Sequence, residues 1–221
     1  GGLSGQALAL PGVVPLESQE TNFAIRPIDD SVFNLGSNDF TVQAWVNFSS
    51  LAGEQSIVEK FDGPAGGGWT LTKTGGNQLV FFADNGLVQV FPDASTISTG
   101  VFHQIVARRL EDEVSVFFDG QLIGTQLLAP GTFIGPSGNP LLIGARNGGQ
   151  NHPVDGLIDE VAIWTRGISN DDISATFNQG NGAGLLGSQI PEPTSLAILG
   201  IGLVVFGFAR RKHGFLPSDS H

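Results

Sequence analysis

The 221-residue chain has no cysteine, no methionine and no tyrosine. Without cysteine there can be no disulfide, no thiolate metal site and no cysteine nucleophile. A domain of this length can be stable without such bridges, so the absence is compatible with export. Methionine is missing even at position one, which leads us to expect a processed or truncated chain. Basic residues are also scarce, 10 Lys and Arg against 21 Asp and Glu, for a formal net charge of -11. No nucleic acid partner is expected, because phosphate contacts need a basic face. What the chain does have is 32 glycines, 16 phenylalanines, 3 tryptophans and 40% hydrophobic residues, with only 14% charged. That composition can bury a core and argues against intrinsic disorder, and the length suits one domain.

The run Ser195–Ala209, SLAILGIGLVVFGFA, carries no charge and is followed at once by Arg210, Arg211 and Lys212. As a helix it would span about 22 Å, short of the roughly 30 Å hydrocarbon core, a gap that bilayer thinning or snorkelling cations can close. Its uniform apolarity, its place near the C-terminus and the abrupt basic stop predict a transmembrane helix rather than a buried core helix. By the positive-inside rule the basic cluster stays cytoplasmic and the upstream chain lies outside. Just before the run stand Pro191, Glu192, Pro193, Thr194 and Ser195. PEPTS, a short apolar segment and Arg-Arg-Lys, in that order from Ile190 to Lys212, resemble the PEP-CTERM sorting signal. The resemblance implies an exported protein of a Gram-negative-type bacterium, handled by an exosortase-type membrane protease and associated with extracellular polysaccharide or biofilm. It also implies residence in the cell envelope, with at least transient anchoring in the inner membrane. His213–His221 follow the basic cluster, where such signals usually stop.

At the other end, Ala7 and Ala9 form an A-x-A pattern of the kind that precedes signal-peptidase cleavage, so 1–12 reads as a remnant of a signal peptide or N-terminal segment. Between the two ends the chain is β. Short β-branched and aromatic runs, separated by Gly, Asp, Asn and Pro, predict strands at Phe40–Phe48, Ser56–Lys60, Trp69–Thr72, Gln78–Ala83, Leu87–Phe91, Phe102–Arg109, Val114–Phe118, Gln121–Thr125, Pro140–Ala145 and Gly156–Trp164. Asp119-Gly120 reads as a two-residue hairpin. Ser169-Asn170-Asp171-Asp172 reads as a capping box opening a helix that carries Ile173 and Phe177 on one face and stops at Gly180. The expected fold is an all-β antiparallel sandwich with one short helix near its end, over 13–179. A flexible linker (180–190), the sorting signal with its transmembrane helix (191–212) and a tail (213–221) follow.

Four strands carry a family resemblance. Asp39-Phe40-Thr41-Val42-Gln43-Ala44-Trp45-Val46 looks like the opening strand of laminin-G-like, concanavalin A-like jelly-roll domains. Phe102-His103-Gln104-Ile105-Val106-Ala107 is similar to their W-H-H-V-A strand, with Phe in place of Trp. Val116-Phe117-Phe118-Asp119-Gly120 resembles the strand ending in D-G. Leu142-Ile143-Gly144, then Gly156-Leu157-Ile158-Asp159-Glu160-Val161, resembles the closing strand. The order holds from about Val13 to Gln179. The fold hosts lectins, glycosidases and protein-binding modules, so it does not specify the ligand.

Among candidate sites, Asp159 shares a period-two face with Leu157, Val161 and Ile163, where a carboxylate needs hydrogen-bond donors or a cation. The resemblance implies a structural Ca2+ held by Asp159 with backbone carbonyls, Asp29, Asp30 and Asp155 being possible co-ligands. The alternative is that Asp159 accepts backbone N–H bonds and binds nothing. His103 and His152 invite a triad reading with a serine as nucleophile, but the sequence has no G-x-S-x-G elbow, and His103 lies mid-strand and reads as a satisfied sheet residue. Glycosidase chemistry needs two carboxylates facing one site, and the E-x-D-x-x-E string of laminarinase-type enzymes is missing. Asp159 and Glu160 point to opposite faces, and Glu111 and Glu113 flank a turn. A sugar site would use aromatic platforms with convergent polar groups. Candidates are Trp45, in the polar company of Thr41, Gln43 and Asn47, and Trp69, after the glycine-rich loop Gly63–Gly68. Both positions are often packed in this fold. Arg146, Asn147, Asn151 and His152 supply donors and acceptors on one loop, while Leu79, Phe81 and Phe82 read as core.

The expectation is therefore an exported, non-catalytic surface or matrix binding protein, lectin-like, whose partner is a polysaccharide or matrix component. The alternatives are a structural or adhesive protein-binding module and, less favoured, a glycoside hydrolase.

Overall fold

The computed structural model describes residues 7–12, 23–25, 31–63, 66–90, 97–146 and 151–181. Alternation of apolar and polar side chains at the two-residue period of a strand is realised along most of this length. The strands are β1 (Leu8–Pro11), β2 (Ala24–Ile25), β3 (Phe40–Phe48), β4 (Gln55–Phe61), β5 (Gly68–Lys73), β6 (Leu79–Ala83), β7 (Val88–Val90), β8 (Phe102–Leu110), β9 (Glu113–Phe118), β10 (Gln121–Leu127), β11 (Leu142–Ile143) and β12 (Asp155–Trp164), followed by one helix, α1 (Asn170–Phe177). They form two six-stranded antiparallel sheets, ordered β1-β12-β3-β8-β9-β10 and β2-β11-β4-β5-β6-β7.

The core lies between the sheets. Val42, Ala44 and Val46 of β3, Ile105 and Ala107 of β8, and Val116 of β9 belong to one buried cluster with Leu71 of β5 and Leu79 and Phe81 of β6. Burying the Val, Ile, Leu and Phe side chains among these contributes roughly 1.5–3 kcal/mol each. Trp69 is part of this core: it is fully buried, stacks on Phe81, and its indole N–H donates to the Phe33 carbonyl at 2.8 Å.

The hairpin turns use left-handed backbone where the sequence supplies residues that tolerate it. Asp119 (φ 50°) and Gly120 (φ 74°) join β9 to β10, as expected for the primed two-residue turn that matches strand twist. The helix also begins as its residues imply. Ser169 accepts the Asp172 N–H while the Asp172 carboxylate accepts the Ser169 N–H, satisfying two otherwise orphan donors. It ends at Asn178, in the left-handed conformation, two residues before Gly180.

Two expectations are corrected. Residues 8–11 are not an appendage: β1 pairs with β12 along its length, and Leu10 is buried in the core. The short apolar run that resembles the end of a signal segment completes a sheet edge. The face of Asp159 also differs from the simple alternation. A bulge between Asp159 and Ala162, with Glu160 at φ 46°, resets the period, so Val161 and Ile163 pack on the core with Ile158. Asp159 stays on the opposite face, where its Oδ1 accepts the Glu160 N–H at 2.9 Å.

Candidate functional site

The outer faces of the two sheets differ. On the first sheet, α1 lies over β3, β8 and β9: Ile173 packs with Val106 and Phe117, and Phe177 stacks on Trp45 with ring centroids 5.9 Å apart. On the second sheet, the outer face of β4, β5 and β6 holds an open cavity of about 270 Å3 lined by Glu54, Phe61, Thr70, Thr72, Thr74, Val80, Phe82 and Arg146.

Strand parity builds this cavity. Trp69 and Leu71 point into the core, so Thr70 and Thr72 point out; Phe81 points in, so Val80 and Phe82 point out. Cross-strand pairing then aligns Glu59, Thr70 and Phe82 in one row, and Ser56, Thr72 and Val80 in the next. The hydroxyls connect: Thr70 and Thr72 share a hydrogen bond of 2.8 Å, and Ser56 donates to Glu59 at 2.8 Å. Arg146 reaches over this row from the loop after β11. Its Nε donates to Glu59 at 3.0 Å, its Nη1 to Glu54 at 2.8 Å and its Nη2 to Thr72 at 3.2 Å, with the guanidinium 5.6 Å from the Phe61 ring centre. Glu59 is 1% exposed whereas the Glu54 side chain is 33% exposed, so Glu54 is the carboxylate that faces the opening. Lys73 also feels Glu54. Burial pushes its ammonium below the ordinary lysine range and Glu54 partly offsets this, while its protons go to the Leu51, Gly53 and Thr74 carbonyls and Asn77. The same face carries apolar groups, Phe61 and Phe82 meeting edge to face at 5.5 Å, with Phe82 at the end of the row of Glu59 and Thr70. Chemically, the site offers hydroxyls, a guanidinium and a carboxylate beside an aromatic wall.

Residues 23–174 match the family model for the concanavalin A-like lectin/glucanases superfamily, Laminin_G_3. The chain belongs to that superfamily. Residues 189–212 match the PEP-CTERM protein-sorting motif, which indicates export and membrane-associated sorting. No curated protein matches the chain. Among solved structures the sandwich is similar to a putative carbohydrate binding protein from Bacteroides ovatus (TM-score 0.56, 11% identity, 70% of this chain and 44% of that one). It is similar as well to the CBM40 of the Ruminococcus gnavus IT-sialidase bound to α2,3 sialyllactose (0.54, 17% identity, 64% and 83%). A third is domain 4 of AbnA, a GH43 extracellular arabinanase from Geobacillus stearothermophilus, in complex with arabinotriose (0.51, 19% identity, 63% and 66%). The chain thus spans under half the length of the Bacteroides ovatus chain, and the likeness to all three is one of fold.

In this concanavalin A-like sandwich the sequence-based site residues separate. Arg146 lines the cavity, and His152 stands beside it, its Nδ1 3.9 Å from Glu54 Oε2. Asn151 is exposed and exchanges both backbone hydrogen bonds with Arg146. Asn147 lies outside the described residues, as do Asp29, Asp30 and the sorting-signal residues Pro191, Glu192, Pro193, Arg210 and Arg211. Trp45 and Trp69 cannot present a ring to a ligand, at 1% and 0% exposure. The polar company of Trp45 serves the helix instead. Thr41 bonds the backbone at Arg166 and Ile168, and Gln43 meets Gln104 and Thr176 beneath α1. Phe82, read as core, faces out. Among the described residues no three His, Asp or Glu cluster as metal ligands. Asp155 and Asp159, four residues apart on β12, stand about 13 Å apart and cannot share one ion.

The glycine-rich loop Gly63–Gly68 is pinned where it is described. Gly68 donates to the Gly135 carbonyl, and a Cβ at Gly68 would collide with the Lys60 carbonyl. Asp62 anchors the same corner through Ser137, Gly138 and Asn139. Burial alone would raise its carboxyl, but these hydrogen bonds and the Lys60 charge hold it below the usual carboxylate range.

His103 is buried, as a structural residue should be, yet its partners form a relay that the sequence did not reveal. Nδ1 lies 2.8 Å from Asp119 Oδ2, and Nε2 accepts the Ser98 N–H at 3.3 Å with the Ser98 hydroxyl at 2.9 Å. Because Nε2 is the acceptor, the ring proton sits on Nδ1 toward Asp119. Asp119 also accepts the Gln104 N–H at 2.9 Å, so the relay ties the β9–β10 turn to the segment before β8.

Proposed function

We propose that this chain is an exported, non-catalytic carbohydrate-binding protein, sorted by an exosortase-type protease, that seats a sugar in the cavity on the β4–β6 face. The observation that carries the reading is the arrangement around Arg146: donors and acceptors converge in one cavity with the aromatic pair Phe61 and Phe82. A pyranose or furanose needs both, because its hydroxyls must be hydrogen-bonded once they leave water while its C–H face prefers an apolar partner. The cavity is slightly smaller than the roughly 300–1,000 Å3 of drug-sized sites, which suits one ring of a longer glycan. Similarity to the sialyllactose-bound and arabinotriose-bound modules supports the same reading. The absence of catalysis rests on the carboxylates. Glu59 is held behind Arg146 and only Glu54 faces the opening, so these two do not flank a glycosidic bond as hydrolysis requires. The apolar run Ser195–Ala209 serves as the anchor through which the sorting machinery meets the membrane.

Affinity electrophoresis against neutral and acidic polysaccharides tests this. Retention is expected for at least one, weakened by Thr72→Val and by Arg146→Ala, with no release of reducing sugar. Retention that ignores both substitutions, or sustained sugar release, would overturn it.

A further inference from the structure

We infer that the cavity selects neutral sugars and discriminates against acidic ones, a conclusion that rests on the reading of this cavity as a saccharide site. An arginine in a sugar pocket ordinarily suggests an anionic ligand, since its planar fork matches a carboxylate. Here the guanidinium is already committed. Glu59 holds Nε at 3.0 Å and Glu54 holds Nη1 at 2.8 Å. Glu59 cannot swing aside, because it is 1% exposed and braced by the Ser56 hydroxyl at 2.8 Å. An acidic sugar would therefore have to share a cation whose charge two carboxylates already face, and it would meet Glu54 at the cavity wall. The neighbouring ammonium offers no substitute, for the three N–H groups of Lys73 are already shared among three carbonyls and Asn77. The imidazole of His152 stands 3.9 Å from the same Glu54, on its far oxygen. A neutral sugar meets no such conflict: one hydroxyl can donate to Glu54, another can accept a remaining guanidinium N–H, and the C–H face can lie on Phe82. Arg146 is then a brace that shapes Glu54 and Thr72 for hydroxyl groups. In a partly desolvated site, one uncompensated like-charge contact costs at least about tenfold in affinity.

The test uses matched pairs titrated calorimetrically into the full chain: lactose against sialyllactose, and neutral galactan fragments against oligogalacturonate. The expected result is binding of the neutral member of a pair at least about tenfold tighter than its acidic counterpart, with the ratio shrinking in Glu54→Gln. Glu54 is partly exposed, so this variant is expected to fold, and its circular dichroism verifies that. Tighter binding of the acidic member, abolished by Arg146→Ala, would overturn the inference while leaving the cavity as the site. A ratio unmoved by Glu54→Gln would also overturn it. Binding that ignores Thr72→Val, Phe82→Ala and Arg146→Ala alike would remove the site reading itself, and the charge selection with it.

Discussion

Replacing Phe82 by alanine separates the binding role of the β4–β6 face from its role in folding. Phe82 points away from the core and shares one edge-to-face contact with Phe61 at 5.5 Å. Such pairs contribute about 0.5–1.5 kcal/mol, and a loss of about 1 kcal/mol lowers the melting temperature of a domain this size by roughly 2–4 °C. The sheet should thus stay intact. Binding should fall further. A sugar ring laid on Phe82 removes on the order of 60 Å2 of apolar surface from water, worth about 1.5 kcal/mol at 25 cal/mol per Å2. That corresponds to roughly a tenfold higher Kd. The measurement is a calorimetric titration with whichever saccharide the unchanged protein retains, paired with a thermal melt. Phe82→Leu, which keeps part of the apolar wall, should fall between. Unchanged affinity in a folded Phe82→Ala protein would refute the placement of the ligand, and a melting temperature lowered by far more than a few degrees would refute the outward orientation of Phe82.

The His103 relay gives a second check, since Asp119→Ala removes acceptors from the His103 ring and the Gln104 N–H and should destabilise the domain by about 2–3 kcal/mol. Ser98→Ala should change the melt little, and a fluorophosphonate should not label Ser98; covalent labelling would show a nucleophile and overturn the non-catalytic reading. The Asp62 carboxyl, held below its ordinary range when folded, stabilises the protein above the unfolded carboxylate value and loses that contribution as pH falls through the folded one. Asp62→Asn should accordingly lower the melting temperature at pH 7, and the gap should close below about pH 4; a gap constant with pH would refute the linkage. Calcium held at Asp159 would raise the melting temperature in millimolar calcium over that in EDTA, and Asp159→Asn would erase the difference, whereas superimposed melts would take calcium out of the account.

Most of the sandwich was legible because its strands obey a two-residue period and its turns carry residues that accept positive φ, as at Asp119 and Gly120. The capping box of α1 was legible for the same local reason. What local pattern does not convey is which layer lies on top. Trp45 was correctly seen among polar neighbours, but those neighbours are bonded to α1 and its approach, and Phe177 covers the ring. At Asp159 a single bulge shifted the parity. The cavity was hidden because its members come from three adjacent strands and a distant loop; its visible trace was the pair Thr70 and Thr72 alternating with Trp69 and Leu71. Consistent use of parity would also have turned Phe82 outward once Phe81 was assigned to the core.

The partnership of β1 with β12 constrains when this molecule can become itself. Leu8 faces Ile158, and β12 lies between β1 and β3, near the middle of neither end of the chain's order but inside its sheet. Pairings so distant along the chain close late and slowly. Until β12 is in place β1 has no neighbour in its sheet, so this edge of the sandwich is set by a pairing that spans nearly the whole of its sequence.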